Sequence, residues 1–218
     1  MKIPQTWTFS EKEVANNFES HVREQLPWYE LCTKAIVHIA RHYIPNEGLV
    51  YDLGASTGNI GNSLKEIMKD RNCKLVAIEK EKSMIENYNC DYGDIYQQDI
   101  KQYSYKNYDV AVCFLTLMFI EPKYRSDLLD TLYEKLNTGG ALIIFDKLES
   151  EQGYFGLINY RLTLAEKTKT VKSYKDIIDK ELSLQGIQRP ISKKLLKKYK
   201  PKLFFKFSDF VGYVIEKQ

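Results

Sequence analysis

Apolar residues follow two alternating rhythms along the chain. Short apolar runs at Leu49–Leu53, Lys74–Glu79, Tyr108–Leu115 and Ala141–Phe145 have the length of buried strands. Between them, apolar positions recur at helical spacing. Ile60, Leu64, Ile67 and Met68 mark one face of a helix over Asn59–Asp70, Ser83–Tyr88 reads as helical, and a further helix runs from about Lys123 to Leu136. Upstream, Ser10 and Glu13 have the spacing of a capping box that opens a short helix. Pro27 opens a second helix, with Leu31, Ala35, Ile36 and Ile39 on one side, and Pro45–Gly48 breaks it. Asn137-Thr138-Gly139-Gly140 reads as a stop before the strand at Ala141.

Strands alternating with helices predict an α/β fold, a mostly parallel sheet with helices on both faces. The tail reads differently. Two charged helical stretches, about Gly153–Lys167 and Tyr174–Leu184, are followed by β-rich runs at Leu203–Phe207 and Phe210–Ile215. Only Ser208-Asp209 separates these runs, which predicts an antiparallel pair on the sheet edge. No repeat, linker or domain boundary is visible, so residues 1–218 read as one domain.

Composition narrows the class. Hydrophobic residues are 44% and charged residues 28%, as in a soluble globular protein. No apolar stretch approaches the roughly 18 residues that span a bilayer, and Met1–Ser10 lacks a signal-peptide pattern. Cys32, Cys73, Cys90 and Cys113 are scattered without a CxxC, which suggests neither a zinc site nor a disulfide framework. The expectation is a cytoplasmic protein without a metal. A net charge of +3 selects no partner. The lysines from Lys193 to Lys202 suit phosphate contacts with a nucleic acid, but a solvated helix face is the preferred reading.

The informative segment is Val50-Tyr51-Asp52-Leu53-Gly54-Ala55-Ser56-Thr57-Gly58-Asn59, where a strand ends, small residues turn and a helix begins. Gly54 permits close backbone approach to a ligand, and Gly58 lets the helix start near the strand. A bare structural turn would also use small residues. Among ligands, a dinucleotide GxGxxG needs glycine where Ser56 and Asn59 stand. A hydrolase elbow fits Gly54–Gly58 literally, yet His21, His38 and His42 all precede Ser56, the wrong order for that fold. The pattern acid-x-Gly-x-(Gly/Ser)-x-Gly of S-adenosylmethionine (SAM) binding is met by Asp52, Gly54, Ser56 and Gly58. Glu79 supports it. The residue closes the next predicted strand, 21 positions after Gly58, where nucleoside-binding folds place an acid for the ribose hydroxyls. Asp99 can accept from an adenine amino group, with Ile100 against the ring.

On these residues the chain resembles the class I SAM-dependent methyltransferases, and within them the carboxy-S-adenosylmethionine synthase family. Trp7-Thr8-Phe9, Pro27-Trp28-Tyr29, Val50–Gly58 and Leu115–Pro122 carry the likeness, with Leu136–Leu142 further on. The resemblance implies cofactor contacts at Tyr29, Gly54, Ala55, Ser56, Glu79, Lys80, Asp99 and Ile100. It implies a seven-stranded sheet with an antiparallel last strand, helices of about residues 10–43 capping the cofactor site, and a homodimer. Two positions depart from the family. Phe114 stands where an asparagine touches the cofactor, and Glu181 stands at or near an arginine that reads the carboxylate of carboxy-SAM.

The expected activity is methyl transfer to an unidentified acceptor. Carboxy-SAM synthesis from prephenate and a catalytically idle subunit are the alternatives. Methyl transfer needs a base only if the nucleophile carries a proton. No histidine follows residue 42, so a histidine base would come from the N-terminal helices. Asp146, at the end of the strand from Ala141, is the other base considered, with a solvated strand-end aspartate as the simpler reading.

Overall fold

The computed structural model describes residues 3–218; Met1 and Lys2, the start of the segment searched for a signal peptide, lie outside it. Seven strands form one sheet in the order β3-β2-β1-β4-β5-β7-β6. They are β1 Leu49–Leu53, β2 Lys74–Glu79, β3 Asp94–Gln97, β4 Tyr108–Phe114, β5 Leu136–Lys147, β6 Lys202–Phe207 and β7 Phe210–Glu216. β1 to β5 pair in parallel, and β7 runs antiparallel to both β5 and β6. The fold class predicted from the alternating rhythm, with its antiparallel C-terminal strand, is the one observed.

Alternation along the strands assigns the two faces. Tyr51, Leu53, Ala111 and Cys113 pack with Leu128, Leu129 and Leu132 of α6 (Pro122–Lys135). Val50, Val110, Val112 and Ile143 pack on the other face with Leu64 and Met68 of α4 (Asn59–Asp70) and Ile36 and Ala40 of α3 (Tyr29–Ala40). The strand order reverses between β1 and β4. In such sheets the crevice beyond the carboxyl ends of the strands at that point is where ligands bind.

Several local expectations are corrected. The helix after Ser10 is α1 (Lys12–Asn16), with Glu11 at its N-cap and no side-chain cap. Ser10 instead bonds the Thr8 hydroxyl at 2.7 Å, so the capping box does not form. A separate helix, α2 (Phe18–Gln25), precedes α3. In α3 the buried face is Tyr29, Cys32, Thr33, Ile36 and Ala40; Leu31 points outward, 61% exposed. The predicted helix at Ser83–Tyr88 is a short α5 (Lys82–Ile85). The stop at Asn137–Gly140 lies inside β5, which begins at Leu136 and shifts register against β4 between Tyr108 and Val110. The first tail helix, α7 (Gly153–Thr170), is more apolar than its charges suggested and leaves Tyr154, Phe155, Ile158 and Tyr160 exposed. α8 (Tyr174–Ser183) and a short α9 (Lys193–Leu196) follow.

Candidate cofactor and substrate site

The turn after β1 is built by backbone geometry that its sequence permits. Gly54, Ser56 and Gly58 all have positive φ, at 74°, 51° and 97°. A Cβ on Gly54 would stand 2.7 Å from the Thr116 methyl, so this glycine admits a neighbouring side chain of the chain itself as well as any ligand. Thr116 in turn donates to the Leu53 carbonyl at 2.8 Å. Gly58 caps α4; a Cβ there would meet the Tyr88 ring at 3.0 Å.

Glu79 holds this turn. It is buried at the end of β2, and its carboxylate accepts from the Ser56 N–H and from the Glu81 N–H, each at 2.9 Å. Burial pushes its carboxyl up, and the N–H groups of Glu81 and Ser56 pull it back. Each oxygen keeps acceptor capacity beyond these bonds. Glu79 is therefore not an exposed residue at a strand end. Asp99 accepts from the Lys101 N–H at 2.9 Å, beside a buried Ile100.

Asp52 is buried, and its Oδ2 has no hydrogen-bond partner among the described residues. Burial pushes its carboxyl from the usual 3.8 up to about 7, with the nearby Glu79 adding to the rise and the Gly61 amide opposing it. An acid raised in the folded state binds its proton more tightly there than in the unfolded chain. Its penalty is absent below the unfolded pKa and grows as pH climbs through the window from about 4 to 7. The protein without cofactor should thus lose stability over that window. Asp52→Asn, which cannot ionise, should recover at least about 1 kcal/mol at pH 7 in chemical denaturation. Equal stability of the two proteins at pH 7 would show that Asp52 is not strained.

Ten of the eleven predicted cofactor residues line a single cavity of about 440 Å³: Tyr29, Asp52, Gly54, Ala55, Ser56, Glu79, Lys80, Asp99, Ile100 and Phe114. Gly58 does not; it stands behind the turn. The Tyr29 and Phe114 rings lie 5.0 Å apart. The N-terminal helices reach the turn through Thr57 to Glu19 at 3.2 Å and Asn59 to Thr33 at 3.0 Å. The orphaned Asp52 oxygen, the free acceptor capacity of Glu79 and Asp99 and the apolar side chain of Ile100 fit a nucleoside cofactor.

The same cavity has a second wall that spacing did not reveal. Trp7, His21 and Gln25 enter from the N-terminal segment, Lys147 from the end of β5, and Lys167, Lys180 and Glu181 from α7 and α8. His21 is the one histidine that reaches the cavity among the described residues. Burial, followed by the Lys180 charge, holds it down at about 3, so it is neutral at neutral pH. Glu181 lines the cavity, but it is not an isolated negative charge. Lys167 pairs with it at 2.8 Å, and Lys180 adjoins it in the chain. Burial works to raise the Glu181 carboxyl, yet the surrounding lysines hold it below its ordinary value.

Asp146 is neither solvated nor a base at this cavity. It is 0% exposed and accepts from the N–H groups of Leu117 (2.7 Å), Met118 (3.3 Å) and Lys147 (2.8 Å). Of the lysine run, Lys193, Lys198 and Lys202 pair with Glu151, Asp130 and Glu216, which leaves Lys194, Lys197 and Lys200 without ion pairs among the described residues. The four cysteines are free, and among the described residues no cluster of His, Cys, Asp and Glu is placed to hold a metal. No helix there is long and apolar enough to cross a membrane.

Comparison with known proteins agrees with this geometry. Residues 50–140 match the family model described as a methyltransferase domain. A carboxy-S-adenosyl-L-methionine synthase of Staphylococcus epidermidis is 28% identical over 98% of both chains. One of Escherichia coli O7:K1 is 30% identical over 83% of this chain and 76% of its own. Among solved structures, the plantazolicin methyltransferase BpumL in complex with SAH superposes with a TM-score of 0.62 at 16% identity, covering 95% of this chain and 90% of that one. Sheet order, glycine turn and acid at the end of β2 define a SAM-dependent methyltransferase of class I, with SAM as its cofactor. Within that class the chain belongs to the carboxy-S-adenosyl-L-methionine synthase family.

Proposed function

We propose that the protein transfers the methyl group of SAM to a small second substrate admitted to the same cavity, and that it does not make carboxy-SAM. One observation carries this reading: a single cavity joins the cofactor residues of β1, β2 and β4 to a separate wall from α2, α7 and α8. When bound, SAM supplies a methyl group on a sulfonium that a nucleophile in line with it can take. The chain has to align that nucleophile and exclude water. Glu79 and Asp99 are suited to the ribose and adenine, Ile100 to the ring face, and Asp52 to the cofactor's cationic side. The Ser56 backbone, with Gly54, Ala55 and Gly58, shapes the turn against it. Tyr29 and Phe114 offer an apolar wall, and Lys80 stands at the rim. The helices over residues 10–43 act as the cap of a single domain. In the same reading the chain is a cytoplasmic homodimer, for which the exposed apolar side chains of α7 offer a surface.

Carboxy-SAM synthesis is the second reading, favoured by the names of the relatives and by lysines beside Glu181. Against it stand Phe114 for asparagine and Glu181 for arginine. Arginine is suited to a carboxylate because its fork pairs both oxygens, and Arg189 does not line the cavity. The expected result is calorimetric binding of S-adenosylhomocysteine in the micromolar range with no added metal, and no carboxy-SAM or phenylpyruvate on incubation with SAM and prephenate. Absence of binding heat on folded protein would refute the cofactor sites, and turnover of prephenate would put the second reading first.

A further inference from the structure

Lys147, Lys167 and Lys180 all line the cofactor cavity, and two of the three amines are committed. Lys167 pairs with Glu181 at 2.8 Å, and Lys147 donates to the Gln188 side-chain oxygen at 3.3 Å. Lys180 is 9% exposed, and its amine has no carboxylate or hydrogen-bond acceptor among the described residues. Its Nζ lies against the face of the Trp7 ring. The Trp7 N–H donates to the Ser183 carbonyl at 2.8 Å, which fixes that ring beside α8.

These surroundings disfavour an ammonium. Burial strips its hydration, and the Lys167 charge repels it. Together they hold the Lys180 amine down at about 5, so it is a free base at neutral pH. The other titratable groups around it are His21 from α2 and Glu181 from α8, with Lys147 from β5 on the same wall. Only Glu181 favours the ammonium, and Lys167 occupies it. A lysine desolvated beside a second cation is an activated nitrogen nucleophile.

We propose that Lys180 is itself a methyl acceptor, so that the protein N-methylates its own cavity wall. The amine lone pair bonds the methyl carbon as the carbon–sulfur bond breaks, and the electrons of that bond stay on the sulfur of S-adenosylhomocysteine. Positive charge passes from sulfonium to nitrogen, and no proton has to leave. The Trp7 face suits the product, because aromatic rings hold methylated ammonium groups. Each methyl also leaves one donor fewer to satisfy in a buried place. The inference rests on SAM as the cofactor and on no particular second substrate.

Two measurements on the full chain test it. In the free protein at pH 6, acetic anhydride should label Lys180 at least about tenfold faster than solvent-exposed lysines, since an ordinary lysine amine is protonated there. Saturation with S-adenosylhomocysteine should suppress that labelling. On incubation with SAM, peptide mapping by mass spectrometry should find an added methyl group on Lys180; a mark already present on the purified protein counts equally. The rate should change less than about twofold between pH 6.5 and 8.5, because the amine is neutral throughout. An exposed lysine would instead speed up about tenfold per pH unit. Lys180→Arg should abolish the mark, since a guanidinium keeps its proton and is no nucleophile. Should that variant fail to fold, the map of the parent chain still decides. The proposal is overturned if Lys180 carries and gains no methyl group, if the mark falls on exposed lysines and survives Lys180→Arg, if the rate climbs tenfold per pH unit, or if acetic anhydride spares Lys180. Binding of S-adenosylhomocysteine without the mark defeats this inference and leaves the cofactor reading standing; absence of binding heat defeats both.

Discussion

Replacing Asp146 with alanine should destabilise the protein by about 3 kcal/mol or more, measured by urea unfolding. One enclosed carboxylate accepts three backbone N–H groups, those of Leu117, Met118 and Lys147. Each buried donor left unpaired costs about 1–3 kcal/mol. The effect should extend to the site, because the segment that Asp146 clamps follows β4 and carries Thr116, which packs on Gly54. Burial pushes the Asp146 carboxyl up to about 7, against the pull of the N–H groups of Lys147, Met118 and Leu117. Asp146→Asn keeps one acceptor oxygen and avoids burying a charge, so it should cost less than alanine. A loss below about 1 kcal/mol for alanine would mean that water replaces the carboxylate.

Glu79→Ala should weaken S-adenosylhomocysteine binding at least about tenfold. A hydrogen bond to a charged acceptor is worth about 1.5–3 kcal/mol, and about 1.4 kcal/mol is a factor of ten. The same carboxylate ties the Ser56 N–H to the Glu81 N–H, so alanine also loosens the turn and lowers the melting temperature. Glu79→Gln separates the two effects. It retains one oxygen but presents an amide N–H₂ to one of the two backbone donors, so binding should still fall while the fold suffers less. An unchanged dissociation constant for both variants would show that Glu79 serves the turn and not the ligand.

The fold around the glycine turn and the class of its cofactor were legible because one local pattern writes them. Asp52, Gly54, Ser56 and Gly58 lie within seven consecutive residues, and their chemistry follows from a strand meeting a helix through positive-φ positions. The place of Glu79 at the end of β2 was legible for the same reason, since the βαβ unit fixes the distance to the end of the next strand. The packing partners of Asp146 and of Gly54 were not. A carboxylate at a strand end looks alike whether it faces water or three N–H groups, and only the packing of residues 115–118 over β5 decides between them. Leu31 was misplaced because α3 turns its Cys32, Ile36 and Ala40 face to the sheet and α4, which leaves Leu31 outside.

What the sequence by itself determined is the fold class, the cofactor class and the turn that holds it, since each depends on residues near one another in the chain. The second wall belongs to the tertiary structure alone. Trp7, His21, Lys147, Lys167 and Lys180 come from four distant segments and share no spacing. A lysine on a charged tail helix ordinarily points into water, and a single sequence holds no sign that Lys180 is buried. Folding α7 and α8 against the N-terminal helices withdraws it from solvent. Burial turns an ordinary surface cation into a group whose charge depends on what lies beside it.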